Sequence, residues 1–131
     1  MTVQDFKKLL VWQRAHSFAL TIHCATASVG RRDNSGIVGQ IRRAALSISA
    51  NIAEGCGRES GADRARFLQI AVGSASEVES HLQFLLGAGL LASSDFNQCQ
   101  SEVVQIRRML IGLLKKVRAR TAAGPKAVTE H

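Results

Sequence analysis

Between about Ser35 and Glu54 runs a stretch with two faces, neither of which has the make-up of a solvent face. Ile37, Ile41, Ala45, Ile48 and Ile52 recur at three/four spacing, the stripe that an amphipathic helix buries against a core. On the opposite side Arg43, Ser47 and Glu54 line up, with Gln40 and Asn51 beside them. Arg42, Leu46, Ser49, Ala50 and Ala53 form a second stripe, mostly of small side chains. A water-facing stripe is normally rich in Lys and Glu, whereas Ala and Ser let another backbone come close. The helix is therefore expected to be packed on two sides, which requires several helices and leaves a face for a second copy of the chain. Gly55 and Gly57 are expected to end it, and Ser60 with Asp63 resembles a capping box that opens the next helix. So short a connection makes the two helices antiparallel neighbours.

The remaining segments supply the other helices. Phe6, Leu9, Trp12, Ala15, Ala19 and Ile22 predict a first helix from about Gln4 to Ser28, ended by the stretch 30–36, where Gly30, Asn34 and Gly36 can take positive φ angles. A third helix, Gly61 to about Ala88, presents Phe67, Leu68, Ala71, Ala75, Val78, Leu82, Leu85 and Leu86 to the core. Its flank repeats Arg66, Ile70, Gly73, Glu77, His81 and Phe84. Glycine inside a helix costs about 1 kcal/mol, so Gly73 between two large apolar groups points to a subunit contact. Gly89 is placed to take the left-handed position after the helix, with Leu90 folding back on Leu85. The fourth helix, from Ser93 or Ser94, carries a heptad of Phe96, Cys99, Val103, Ile106, Leu110, Leu113 and Val117. Residues 1–120 thus read as one all-α, antiparallel up-down four-helix bundle, and 121–131 as a flexible tail. With 131 residues there is no room for a second domain, and alternating strand patterns are missing.

The chain carries Lys+Arg 17 against Asp+Glu 10, a net +7, which suits a polyanionic partner. Three cysteines, Cys24, Cys56 and Cys99, form no CxxC pair, so neither a disulfide framework nor a zinc module is indicated. No segment approaches the ~20 apolar residues of a membrane span, and a cytoplasmic protein is expected. No P-loop, nucleophile elbow, HExxH, Rossmann or di-iron Glu-x-x-His spacing is present. Glu77 and His81, one turn apart, are read as a surface or interface hydrogen bond. Glu54 with Arg43 and Arg58 is read as a cluster that pairs with a neighbouring subunit. His16 and His23 lack a third ligand at metal spacing, and Trp12 lies on the apolar stripe of its helix. Neither enzymatic activity nor a cofactor is expected.

Several blocks resemble a known family. Gln40-Ile41-Arg42-Arg43-Ala44-Ala45, Ser47-Ile48, Asn51-Ile52-Ala53-Glu54-Gly55 and Gly57-Arg58-x-Ser60 are similar to the signature of bacterial four-helix-bundle proteins first noticed as products of intervening sequences within large-subunit ribosomal RNA. Val11-Trp12-Gln13-Arg14-Ala15, Phe67-Leu68-x-Ile70-Ala71-x-Gly73-Ser74 and Glu77-Val78-Glu79 add to the match, which spans roughly residues 8 to 118. The chain departs from the family's pattern at Val29-Gly30 and Ser35-Gly36, where aromatic-proline and aromatic-glycine pairs are usual, and at Ser49, often proline. The resemblance implies a homo-oligomeric ring, a pentamer of bundles, and a relative of the accessory protein of diversity-generating retroelements, which binds a reverse transcriptase and nucleic acid.

Two functions follow as expectations. In one, the assembled bundle binds RNA or DNA, structured RNA foremost, through backbone phosphates. The binding residues are Arg107, Arg108, Lys115, Lys116, Arg118 and Arg120, joined by Arg31, Arg32, Arg42 and Arg43. In the other, the oligomer is a scaffold for a protein partner. Either way the subunit interface is expected at Leu46, Ala50, Ala53 and Glu54 on the second helix and Ile70, Gly73, Glu77 and Phe84 on the third.

Overall fold

Four helices account for almost the whole chain: α1 (Leu10–Ala25), α2 (Ile37–Cys56), α3 (Gly61–Gly87) and α4 (Ser93–Thr129). In this computed structural model residues 5–129 are described, with side chains through Ala123. Successive helices run antiparallel. One pole of the bundle therefore holds the start of α1, the α2–α3 turn and the far half of α4, and the other holds the α1–α2 and α3–α4 connections.

The isoleucine stripe of α2 is the centre of the core. Ile37, Ile41, Ala45, Ile48 and Ile52 are all buried, against Phe18 and Ile22 of α1, Val78, Leu82 and Leu85 of α3, and Val103, Ile106 and Leu110 of α4. The α4 heptad holds as far as Leu110 and then drifts. Leu114 is buried instead of Leu113, which is only partly covered along with Val117. An α-helix turns every 3.6 residues, so a 3.5-residue stripe slips round a helix that does not supercoil. The backbone of α4 stays helical through Thr129. The flexible tail expected over 121–131 falls mostly on side chains outside the described residues.

The helix ends differ from expectation in instructive ways. The first helix begins at Leu10, not Gln4. Phe6–Lys8 forms a separate 3₁₀ turn capped by the Asp5 carboxylate, which accepts from the Lys7 amide at 3.1 Å. Residue Gln4 itself lies outside the described residues. After Ala25 the chain takes a second 3₁₀ turn, Val29–Arg31, so among Gly30, Asn34 and Gly36 only Gly36 has positive φ, +86°. Gly55 does not stop α2, which continues to Cys56, and Gly57 ends it at φ −82°. Gly55 serves close approach instead, because a Cβ there would stand 3.2 Å from the Phe67 Cβ on α3. Ser60 caps α3, its hydroxyl accepting from the Asp63 amide at 3.0 Å. The short Asp63 side chain turns to Arg66 at 3.6 Å, so only half of the capping box forms. Gly89 at φ +72° closes α3 as expected, with Leu90 N donating to Leu85 O at 2.9 Å and Gly89 N to Leu86 O at 3.1 Å.

Candidate functional site

Basic side chains dominate the surface chemistry, and the bundle sorts them by position along its axis. At the waist Arg14 grips Glu102 of α4 through two nitrogens, the nearer at 3.0 Å. Arg107 donates to Glu79 of α3 at 2.6 Å. Arg107, expected to meet phosphate, is thus engaged between α3 and α4, and Arg108 beside it is exposed without an internal partner among the described residues. Arg14, Arg107 and Arg108 are matched in charge by Glu77, Glu79 and Glu102, so the waist is neutral.

At the pole of the α1–α2 and α3–α4 connections, Arg42 and Arg32 act as braces. Arg42 donates to His23 O at 2.8 Å and to the buried Thr26 hydroxyl at 3.0 Å, tying the end of α1 to the start of α2. Arg32 donates to Leu90 O at 2.9 Å and joins the two connections. Arg43 lies back along its own helix, its Nη1 3.1 Å from where a Cβ of Gly39 would be. It is eleven residues from Glu54, about 16 Å along α2, so these two do not cluster. Glu54 pairs with Arg58 at 3.4 Å instead. Arg31, Arg32, Arg42 and Arg43 exceed Asp33 and Asp95 by two charges.

The other pole is different. Lys7 and Lys8 stand on the first turn, which packs on α1 and α2. Arg58, Arg64 and Arg66 occupy the α2–α3 junction, and Lys115, Lys116, Arg118 and Arg120 follow on α4. Against Asp5, Glu54, Glu59 and Asp63 they leave five of the chain's net +7 at this end; Lys126 and Glu130, the remaining charges, cancel and lie outside the described side chains. Thr121 is what brings α4 here, since its hydroxyl fills the space that a Cβ on Gly61 would need. Arg118 donates to Gln69 at 2.9 Å, while Lys115, Lys116 and Arg120 are exposed with no internal partner among the described residues. Arg64 bonds the carbonyls of Arg58 and Glu59 at 2.9 and 3.3 Å. The guanidinium groups of Arg58 and Arg66 both lie over the Phe67 ring, 4.9 and 4.4 Å from its centre. The sequence reading sets Arg58 with Glu54 and Arg66 on the flank of α3, and does not join them with Arg64 as one basic junction. The arginines at 58, 64 and 66 were the available signal, hidden because they flank a turn instead of sharing a helix face.

The residues expected at a subunit interface fall into two strips. Leu46, Ala50 and Ala53 lie on the flank of α2 towards α1, and Ile70, Gly73, Glu77 and Phe84 lie along the outside of α3. Leu46, Ile70 and Phe84 are 58%, 41% and 51% exposed, and open space surrounds Gly73. Ser49, expected on the small-residue stripe, is buried within the subunit, its hydroxyl donating to Leu46 O at 3.1 Å. Glu77 meets His81 at 3.3 Å. Leu10 and Leu20 are also exposed, which the sequence reading did not foresee. A hollow of about 200 Å³ lies between α1 and α2, lined by His16, Ala19, Leu20, His23, Arg42 and Leu46. His16 stacks on Trp12 at 4.8 Å.

Burial raises the thiol pKa of Cys56 above its ordinary value, a shift opposed by nearby Arg64 and reinforced by Asp5. Cys99 is raised by burial and by Asp95. Among the described residues no group of three His, Cys, Asp or Glu side chains could hold a metal ion, and no helix is long and apolar enough to cross a membrane.

A bundle of four antiparallel helices with basic poles, and with no assembled catalytic group among the described residues, is the class that this geometry defines. The model of the 23S rRNA-intervening sequence protein family matches residues 7–112, and the chain belongs to that family. Its fold is similar to the crystal structure, at 1.70 Å resolution, of a protein with unknown function from the S23 ribosomal protein family of Bacteroides thetaiotaomicron VPI-5482. The two share 27% identity with a TM-score of 0.76 over 81% of this chain and 99% of that one. Among curated proteins no match is found. The family description names no reaction.

Proposed function

We propose that the chain is a non-enzymatic, homo-oligomeric four-helix-bundle protein, built as a pentameric ring, that binds nucleic acid, structured RNA foremost, through basic surface patches. The observation that carries this reading is the group of exposed cations on α4, Arg108, Lys115, Lys116 and Arg120, none of which forms an ion pair with a carboxylate of the described residues. Such side chains attract phosphate, and copies arranged in a ring raise the avidity of each weak contact. Exposed Leu46, Ile70 and Phe84 support the assembly, since large apolar groups at close-approach strips gain by leaving water.

The test is binding of an RNA mixture by nuclease-treated protein across a salt series. Affinity should fall steeply as salt rises, and a flat response sinks the phosphate reading. For the ring, Leu46→Asp or Ile70→Asp should lower the particle mass measured by light scattering to that of one chain; an unchanged mass with normal helicity removes the interface. The hollow beside Leu20 and Leu46 favours a second reading, an oligomeric scaffold that holds a protein partner. RNA capture that survives loss of the α4 cations would favour it.

A further inference from the structure

We propose that the pole formed by the α2–α3 junction and the far half of α4 is the surface that meets nucleic acid, and that it recognises the paired sugar-phosphate backbone of a double helix and not a single strand. The proposal rests on the nucleic-acid reading above and narrows it to one end of the bundle and one kind of ligand.

Position comes first. The waist is electrically neutral and the opposite pole holds a surplus of two, with Arg42 and Arg32 committed to carbonyls and a hydroxyl inside the subunit. A polyanion is therefore drawn to the end that holds five. This end is also built to hold its charges in place. Thr121 seats α4 against Gly61 at the first turn of α3, so the cations of α4 and those of the α2–α3 junction stand on packed helices at one end of the bundle, with Lys116 and Arg120 one turn apart on a single face of α4. From Lys116 to Arg120, on one face, is about 6 Å of helix, close to two phosphate steps along one strand.

The kind of ligand follows from the aromatic side chains. Proteins that hold single strands stack exposed bases on aromatic rings, each stack contributing about 1–3 kcal/mol. Here Phe67, the aromatic residue of the α2–α3 junction, already lies beneath the guanidinium groups of Arg58 and Arg66. Trp12 is stacked on His16 and meets the edge of Phe6. Phe84 is exposed but stands near the end of α3, at the opposite pole. The basic pole thus offers cations without a stacking platform, which suits a ligand whose bases are hidden in pairs and whose phosphates face outward.

The experiment measures fluorescence anisotropy of the full chain with three probes of about 20 base pairs or nucleotides, two helical turns: an RNA duplex, a DNA duplex of the same sequence, and an unstructured uridine strand. Tighter binding of either duplex than of the strand is expected, by about fivefold or more at matched salt, and the stronger duplex identifies the class of partner. Replacing Lys115, Lys116 and Arg120 by Gln should weaken duplex binding at least tenfold and reduce the log–log salt slope by about 2–3. Arg31→Gln with Arg43→Gln should change it less than about twofold. Equal binding of strand and duplex, or equal loss from both sets of variants, overturns the proposal while leaving nucleic-acid binding in place. No binding of any probe at low salt removes the parent reading and this one together. Should the triple variant lose helicity, Lys116→Gln alone decides, by a salt slope lowered by about 0.9 or left unchanged.

Discussion

At the pole where α1 passes to α2, Arg42 bonds a carbonyl and a buried hydroxyl, and Arg32 reaches across to Leu90. At the pole where α2 passes to α3, three cations of α4 have no internal partner among the described residues, and two arginines lie over a phenylalanine. The first connection runs through a 3₁₀ turn and a left-handed Gly36, and arginines there satisfy the His23 carbonyl in the last turn of α1 and the Leu90 carbonyl of the α3–α4 connection. The second is short and closed by Ser60; there Arg64 bonds the carbonyls of Arg58 and Glu59, while the exposed cations of α4 beyond it make no such bond among the described residues. Equal-looking basic pairs in a sequence therefore do opposite work, one holding the subunit together and the other presenting charge.

The largest consequence should come from Arg42→Ala. It removes two hydrogen bonds from a charged donor and leaves part of the buried Thr26 environment unsatisfied, lowering stability by about 2 kcal/mol in urea unfolding. A smaller loss would weaken the assignment of this pole to bracing. Gly36→Ala comes next, at about 1–2 kcal/mol, because a Cβ is strained at φ +86°. On the opposite side of the comparison, Ser60→Ala should cost about 1 kcal/mol through loss of the α3 cap, read as a fall in melting temperature. Lys115→Gln with Lys116→Gln should leave stability within about 0.5 kcal/mol, since neither side chain has an internal partner. A marked destabilisation there would show that these cations are structural after all. The two poles also differ in thiol chemistry. Cys24 is exposed, whereas burial raises the Cys56 pKa and keeps its reactive thiolate scarce until pH rises past the ordinary thiol range. Iodoacetamide at pH 8 should label Cys24 before Cys56, with mass spectrometry of the peptides giving the order.

Much of the fold was legible because a helix repeats its exposure every three or four residues. The isoleucines of α2, the Gly89 termination of α3 and the α4 stripe as far as Leu110 all follow from that period and from local backbone chemistry. The same reading misplaced the start of α1, since apolar spacing at Phe6 and Leu9 does not distinguish a 3₁₀ turn from the first turn of an α-helix. It also gave Gly55 the wrong reason. A glycine that ends a helix and one that admits a neighbouring helix look alike until Phe67 is seen against it.

The candidate site was legible only as a list of cations. Arg107 and Arg108 are adjacent in the chain, yet one is bound to Glu79 and the other faces water. Arg58 and Arg66 share no helical stripe and read in the sequence only as groups of a subunit contact, and Arg64 carries no reading there, although all three stand at the same end of the bundle as the cations of α4.

By itself the sequence determined the helices, their order and the sum of the charge, because these depend on local period, short connections and composition. Tertiary structure alone decided which cations remain available and at which end they gather, because that depends on partners far apart in the chain: Glu79 for Arg107, His23 and Thr26 for Arg42, and Gly61 beneath Thr121.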